Sequence, residues 1–222
     1  MKTDMRTDIA IQKDVIDEMR WDPRIQTREI GIASKDGVVT ISGAVASYAE
    51  KWAVERAAER VAGVKAVASE LDVVLLAQHT TTDASLAHRI LDAFKWDILV
   101  PDDRVKVLVR EGWVQLDGEV EWQYQKDATV RAVRNTKGVR GVTNALTLAP
   151  AAVSAYDVSK KIRAALHRQA DTESDHVTVR ASDHVVTLTG TVPTFADRRA
   201  IEWAAWSAPG VREVRDELRV GI

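Results

Sequence analysis

The chain has no cysteine, which excludes disulfide bonds, thiol catalysis and zinc sites built from cysteine. It also has no long apolar run. The N-terminal stretch carries acidic side chains throughout and has no apolar core of signal-peptide length: MKTDMRTDIAIQKDVIDEM. We therefore expect neither a secretory signal nor a transmembrane segment. The expected location is cytoplasmic, or periplasmic if the N-terminus has been trimmed.

An excess of basic charge is missing as well. The sequence has 31 lysines and arginines against 33 acidic residues, a formal net charge of −2. A protein that binds nucleic acid is usually basic, so nucleic acid is the least favoured partner. The apolar content of 45% and the charged content of 29% are ordinary for a folded, water-soluble protein.

What the chain does contain is an internal repeat. The sequence Val-Thr-Ile-Ser-Gly, ending at Gly43, has counterparts that end at Gly118 and Gly190. A second glycine, followed by valine, comes twenty residues after each of them, at Gly63, Gly138 and Gly210. We read three copies of one unit, with predicted boundaries at residues 8–76, 83–148 and 154–221.

The hydrophobic periodicity predicts the same elements in each copy. Apolar residues four apart indicate one face of a first helix, and strict alternation then indicates a half-buried strand. A turn leads to a second strand, which is predicted to end at the repeat glycine. The turn contains a glycine in the first two copies, whereas the third has the weaker turn sequence Ser182-Asp183-His184. The helix-face residues are Ile11, Val15 and Met19; Leu86, Ile90 and Phe94; and Val158, Ile162 and Leu166.

A second helix follows the repeat glycine. Ser47 and Glu50 have the spacing of a capping box, Thr194 with Asp197 is a looser version, and the second copy has Trp122 where the cap would be. The Gly-Val pair is predicted to end this helix as a left-handed C-cap, and a third strand closes the unit. The predicted fold class is α+β: three tandem α-β-β-α-β units, each with two helices on one face of a three-stranded mixed sheet.

The pattern V-x-L-x-G, then Gly-Val, then V-x-N-x-L resembles the BON domain family (bacterial OsmY and nodulation). The second copy shows the tail most fully, from Gly141 to Leu146. The resemblance implies the same helix and strand order and a non-enzymatic module, often proposed to bind phospholipid surfaces and found in osmotic-shock and envelope proteins. It implies no catalytic residues.

The residues themselves point to no chemistry. The five histidines do not recur between copies, and none has the spacing that places two imidazoles on one helical face. No phosphate-binding glycine motif is present. We therefore predict no catalytic residues, no metal site and no cofactor, and we assign the six recurring glycines to backbone geometry.

The aromatic and basic residues are the candidates for a binding surface. Trp21-Asp22 and Trp96-Asp97 end the first helix of copies one and two, where each indole either packs over the helix end or meets a membrane or partner. Trp122 and Tyr124 lie in an uncapped, aromatic-rich entry to the second helix, where they either cover a contact between copies or contact a ligand, and the flank of that helix is basic. Its cations could meet anionic headgroups or form a solvated helix face. The predicted surface contains Trp21, Trp96, Trp122, Tyr124, Lys126, Arg131 and Arg134.

Two functions remain open on this sequence. The first is a three-module binding or scaffold protein that engages an anionic phospholipid surface or a protein partner. The alternative is a structural stress protein that acts through protein–protein contacts or self-association without a lipid or small-molecule ligand. An enzyme and a nucleic-acid binder are less favoured.

Overall fold

The computed structural model describes residues 7–26, 29–75, 81–149, 177–182, 184–208 and 211–221. The described part contains five helices: α1 (Asp8–Trp21), α2 (Tyr48–Arg60), α3 (Asp83–Trp96), α4 (Gln123–Arg134) and α5 (Phe195–Trp206). It also contains nine strands: β1 (Ile30–Lys35), β2 (Val38–Val45), β3 (Ala66–Val73), β4 (Val105–Arg110), β5 (Trp113–Val120), β6 (Gly141–Leu148), β7 (Val177–Ser182), β8 (Val185–Val192) and β9 (Glu213–Val220).

The strands form three separate three-stranded sheets, and the fold is α+β as predicted. In each sheet the second strand is central, with orders β1-β2-β3, β4-β5-β6 and β7-β8-β9. In the second and third sheets the first pair is antiparallel and the second pair is parallel. The parallel pair is possible because a helix carries the chain back across the sheet between the two strands.

The predicted first-helix faces are confirmed in the first two repeats. All six residues of these faces are almost completely buried. In the second repeat they pack with the inward residues of β4, β5 and β6 and with α4 in a single apolar core. The corresponding helix predicted for the third repeat, with Val158, Ile162 and Leu166, lies outside the described residues.

The hairpin between the first two strands is held from the first helix. Asp36 and Gly37 both have positive φ, at 54° and 81°. Their N–H groups donate to the Asp8 carboxylate at 2.8 and 3.0 Å. These backbone bonds lower the pKa of Asp8. Asp83 does the same for the hairpin at Glu111–Gly112, so the turn is a repeated device that ties the helix start to the sheet.

The repeat glycines have the predicted special backbone, but the predicted element ends were wrong. β2, β5 and β8 run through Gly43, Gly118 and Gly190 and end two residues later. At Gly118, φ is 138° and a Cβ would overlap the carbonyl oxygen of Arg104. The close approach of this neighbouring backbone segment explains why the position holds glycine.

The second set of glycines lies beyond the helices rather than capping them. α2 ends at Arg60 and α4 at Arg134, and Gly63 and Gly138 adopt left-handed φ values of 92° and 101° in the turn that follows. The left-handed conformation was therefore predicted correctly, whereas its position as a C-cap was not. Gly210 lies outside the described residues.

The chain divides into two compact units that do not coincide with the repeats. One unit contains Met1–Ser42, Val54–Glu70 and Ala151–Ile222, and the other contains Gly43–Ala53 and Leu71–Pro150. The first repeat thus contributes the start of α2 to the unit that holds the second repeat. It contributes the rest of α2 to the unit that holds the third.

Candidate binding surface

Trp21 and Trp96 are the last residues of α1 and α3, and both side chains project into solvent. Trp21 is 86% exposed and Trp96 is 90% exposed. Each follows the last core residue of its helix by two positions, which is a rotation of about 200° at 3.6 residues per turn. The helix geometry therefore directs both indoles away from the core. Of the two interpretations left open by the sequence, packing over the helix end is wrong.

The aspartate after each tryptophan turns the chain back toward the core. The N–H of Asp22 donates to the carbonyl of Met19, and its carboxylate accepts the N–H of Arg24 at 3.0 Å. This Asx turn brings Ile25 into the core. Asp97 makes the same turn in the second repeat: its carboxylate accepts the N–H of Leu99 at 3.0 Å, and Val100 is buried.

In the first repeat an arginine clamps this turn. The Nε and Nη2 atoms of Arg24 donate to the two carboxylate oxygens of Asp22 at 2.9 and 2.6 Å. These charge-assisted hydrogen bonds lower the pKa of Asp22 to about 2. Because the folded-state pKa is depressed, the carboxylate stabilises the fold above its unfolded pKa and loses that contribution as the pH falls through its folded value.

We expect Asp22→Asn to lower the free energy of unfolding by about 1 kcal/mol at pH 7, because the charge-assisted bonds from Arg24 to a buried carboxylate are lost and the exposure of Arg24 weakens them through solvent screening. The difference between the native chain and the variant should shrink between about pH 4 and pH 2, where the native carboxylate takes up its proton. Urea unfolding at a series of pH values measures it. Asp97→Asn is the matched control. A stability difference that stays constant down to pH 2 would contradict the assignment.

The second repeat surrounds its tryptophan with further exposed apolar side chains. Ile98 is 97% exposed and Leu99 is 42% exposed. Two ion pairs hold the ends of this segment: Asp97 with Arg131 at 3.5 Å, and Arg104 with Glu121 at 2.8 Å. We call Trp96, Ile98 and Leu99 the apolar loop. It is an exposed apolar group that lies between the end of α3 and the buried Val100.

Trp122 and Tyr124 are partly exposed, at 39% and 49%. Trp122 is the N-cap residue of α4, and its indole, which has no acceptor, makes no capping bond. The sequence had indicated an uncapped helix start, because Trp122 stands where the cap residue would be. The structure shows that the start is nevertheless capped. The side-chain oxygen of Gln125 accepts the N–H groups of Glu121 and Trp122 at 2.9 and 3.0 Å, which is the reverse half of a capping box.

The three cations predicted to meet anionic headgroups all have structural partners. Lys126 donates from its ammonium group to the carbonyl of Leu146 at 2.6 Å, and burial lowers its pKa. Arg131 pairs with Asp97, and the Arg134 guanidinium lies 3.7 Å from the centroid of the Trp52 ring. These side chains are therefore engaged in holding the fold.

Lys126 makes a hydrogen bond to the last strand of its repeat, and the equivalent cation does so in the other two repeats. Lys51, eight residues after Gly43, donates to the carbonyl of Leu71 at 2.7 Å, as Lys126 does to that of Leu146. In the third repeat Arg198 takes this position and donates to the carboxylate of Asp216 at 2.6 Å. A cation at this position thus occupies polar groups of the edge strand, which otherwise stand open to pairing with another chain.

Sequence reasoning missed Ile98, Leu99 and Trp113. The run Ile98-Leu99-Val100 looks like the start of a buried segment, and only Val100 is one. Trp113 begins β5 out of phase with the buried Val114 and Leu116, so alternation could have placed it on the outer face. Its ring lies over Gly141, where any Cβ would overlap it. The indole covers the bare glycine of the neighbouring strand.

Elsewhere, the described residues do not bring histidines or other metal-binding side chains together. His88 is exposed on α3, and His184 has a φ of 68° in the third hairpin; His79, His167 and His176 lie outside the described part. Within the described ranges, no group of three or more metal-binding side chains is close enough to hold an ion. None of the helices in those ranges is long and apolar enough to cross a membrane.

The fold and the surface define a protein built from tandem α+β modules. The family model described as BON domain matches residues 7–74, 82–150 and 156–222. These matches cover most of the sequence, and the chain belongs to the BON domain family, with three copies of the module.

Known proteins similar to this chain include osmotically-inducible protein Y of Escherichia coli (strain K12). It is 32% identical over 130 residues, which is 55% of this chain and 63% of that protein. The chain thus spans less than two thirds of the relative's length. Two solved structures of CdsD, a structural protein of the Type III secretion system of Chlamydia trachomatis, are 13% identical with TM-scores of 0.26. They cover 97% and 93% of this chain, and 99% and 90% of their own. Similarity at this TM-score carries no conclusion about fold or function.

Proposed function

We propose that the chain is a non-enzymatic binding or scaffold protein whose three BON modules contact an anionic phospholipid surface or a protein partner under osmotic or envelope stress. The observation that carries this proposal is the exposure of Trp21 and Trp96 at equivalent helix ends. The stress context rests on similarity to a protein named as osmotically inducible. We propose module boundaries at residues 8–76, 83–148 and 154–221.

Tryptophan suits the boundary between lipid and water because its ring is apolar and its N–H is polar. The apolar loop adds Ile98 and Leu99 to one such ring. Its backbone is held by the Asx turn and by the buried Val100 that follows, which reduces the ordering entropy lost when it docks. Burial of these side chains supplies the favourable free energy of contact.

Charge makes a smaller contribution in this proposal. Lys126, Arg131 and Arg134 already have partners, so attraction to anionic headgroups has to come from the general field of the surface rather than from these three side chains. Binding should therefore depend mainly on insertion of the apolar loop, and only weakly on ionic strength.

Co-sedimentation of the native chain with vesicles tests the proposal. We expect binding to vesicles that contain phosphatidylglycerol, and at least half of that binding should persist when salt is raised from about 0.05 to 0.5 M, where the Debye length is short. Pure phosphatidylcholine vesicles separate insertion from charge. No binding to either vesicle at low salt would rule out the lipid form of the proposal.

The exposed apolar loop also supports the second candidate, a structural stress protein that self-associates through protein–protein contacts. Sedimentation velocity over a range of concentrations distinguishes the two. A concentration-dependent oligomer that Ile98→Ser abolishes would favour self-association, whereas a monomer that binds vesicles would favour the lipid surface. Nucleic acid remains the least favoured partner, and the cytoplasmic location remains a prediction.

A further inference from the structure

The second helices of the repeats carry an equivalent pair of positions on one face. We call the residue nine positions after the repeat glycine position A, and the residue sixteen positions after it position B. They are two helical turns apart and therefore share a face. In the three repeats, position A holds Trp52, Asp127 and Arg199, and position B holds Glu59, Arg134 and Trp206.

In the unit that contains the second repeat, position A of α2 meets position B of α4. The guanidinium of Arg134 lies over the ring of Trp52, 3.7 Å from its centroid. Tyr48, at the start of α2, packs against the apolar core of the second repeat. A guanidinium over an indole is a favourable cation–π contact, and it gains strength where water is excluded.

In the other unit, position A of α5 meets position B of α2. The guanidinium of Arg199 donates to the carboxylate of Glu59. Arg56 donates to the same carboxylate at 2.8 Å. The junction is an ionic cluster, and its chemistry differs from that of the Trp52–Arg134 contact although the helix positions are the same.

We propose that this helix face is the surface by which one BON module recognises another, and that positions A and B select the partner. In both junctions an A residue of one repeat meets a B residue of another, so the contact is directional. The exchanged pairing of α5 with α4 is disfavoured, because Arg199 against Arg134 would bring two guanidinium groups together.

A charge exchange at the ionic junction tests this assignment. Because the chain has no native cysteine, Glu70→Cys on β3 and Thr178→Cys on β7 give two clean sites for spin labels, both on exposed residues of the same unit. The distance distribution between the labels is measured by double electron–electron resonance. We expect one narrow peak in the native background and a distribution at least twice as broad with Arg199→Glu. The narrow peak should return when Glu59→Arg and Arg56→Glu are both added, because all three charges of the cluster are then inverted.

Arg215→Glu is the matched control, because Arg215 pairs with Glu213 on its own strand; it should leave the peak unchanged. Glu59→Gln keeps the side-chain shape and guards against loss of folding, and we expect it to broaden the peak by a smaller amount. The proposal is overturned if Arg199→Glu leaves a narrow peak while circular dichroism shows a folded chain. It is equally overturned if inversion of all three charges, at Arg56, Glu59 and Arg199, fails to restore the peak.

Discussion

Replacing Trp21 and Trp96 together by alanine is expected to lower the partition of the chain into phosphatidylglycerol vesicles at least a hundredfold. Each indole is almost wholly exposed in the free protein, so nearly its whole apolar surface is available for burial in the membrane. The alanine variant loses that burial at both sites. Burial of one large apolar side chain contributes about 1.5–3 kcal/mol, and about 2.8 kcal/mol corresponds to a hundredfold change in affinity. Vesicle titration followed by the remaining tryptophan fluorescence measures the partition.

The same variant should fold normally, because both side chains project into solvent, the C-cap residues Asp22 and Asp97 are kept, and exposed substitutions of this kind change stability by no more than about 0.5 kcal/mol. Ile9→Ser provides a control: Ile9 is an exposed apolar residue at the opposite end of α1 from Trp21, and its loss should leave the partition unchanged. If Ile9→Ser and the double tryptophan variant reduce binding equally, the helix ends have no special role.

Gly118→Ala is expected to destabilise the chain by about 3 kcal/mol or more. The backbone at Gly118 has a φ of 138°, which a residue with a side chain adopts only under strain. The added Cβ would also overlap the carbonyl oxygen of Arg104, which is backbone and cannot rotate away. The start of β4 must therefore shift away from β5, where Val105 pairs with Gly118. Chemical denaturation followed by circular dichroism measures the loss.

Gly221→Ala is the matched control, since a Cβ at Gly221 meets no other atom within 4 Å. Its stability should differ from the native value by less than about 0.5 kcal/mol. A Gly118→Ala variant as stable as Gly221→Ala would show that β4 can move without cost, and the glycine would then need another explanation.

The repeat could be read from the sequence because its signals are local. Apolar residues four apart in α1 and α3, alternation in the strands, and glycines at fixed spacing each follow from the geometry of a single element. The structure confirms these faces and the positive φ values of the glycines it describes. Exposure of Trp21 and Trp96 was also within reach of the sequence, because each lies about 200° around the helix from the last core residue.

The ends of the helices and strands were harder to predict from the sequence. Gly43 reads as the end of a strand because glycine commonly marks a turn, yet the strand continues to Val45. At the equivalent Gly118, glycine is required because the carbonyl of Arg104 lies close to the backbone. Arg104 belongs to a segment fourteen residues earlier in the chain. A contact of that kind leaves no trace in the local pattern.

The sequence by itself determined that this protein is three α+β modules of the BON family with tryptophans at two helix ends, and the structure showed that both tryptophans face solvent. Only the tertiary structure decided which groups the charged side chains contact. Lys126, Arg131 and Arg134 form a basic stretch in sequence, but Lys126 binds a strand carbonyl, Arg131 an aspartate before β4, and Arg134 a ring of the first repeat. A charge acts on whatever lies within a few ångströms of it in space, and those neighbours come from distant parts of the chain.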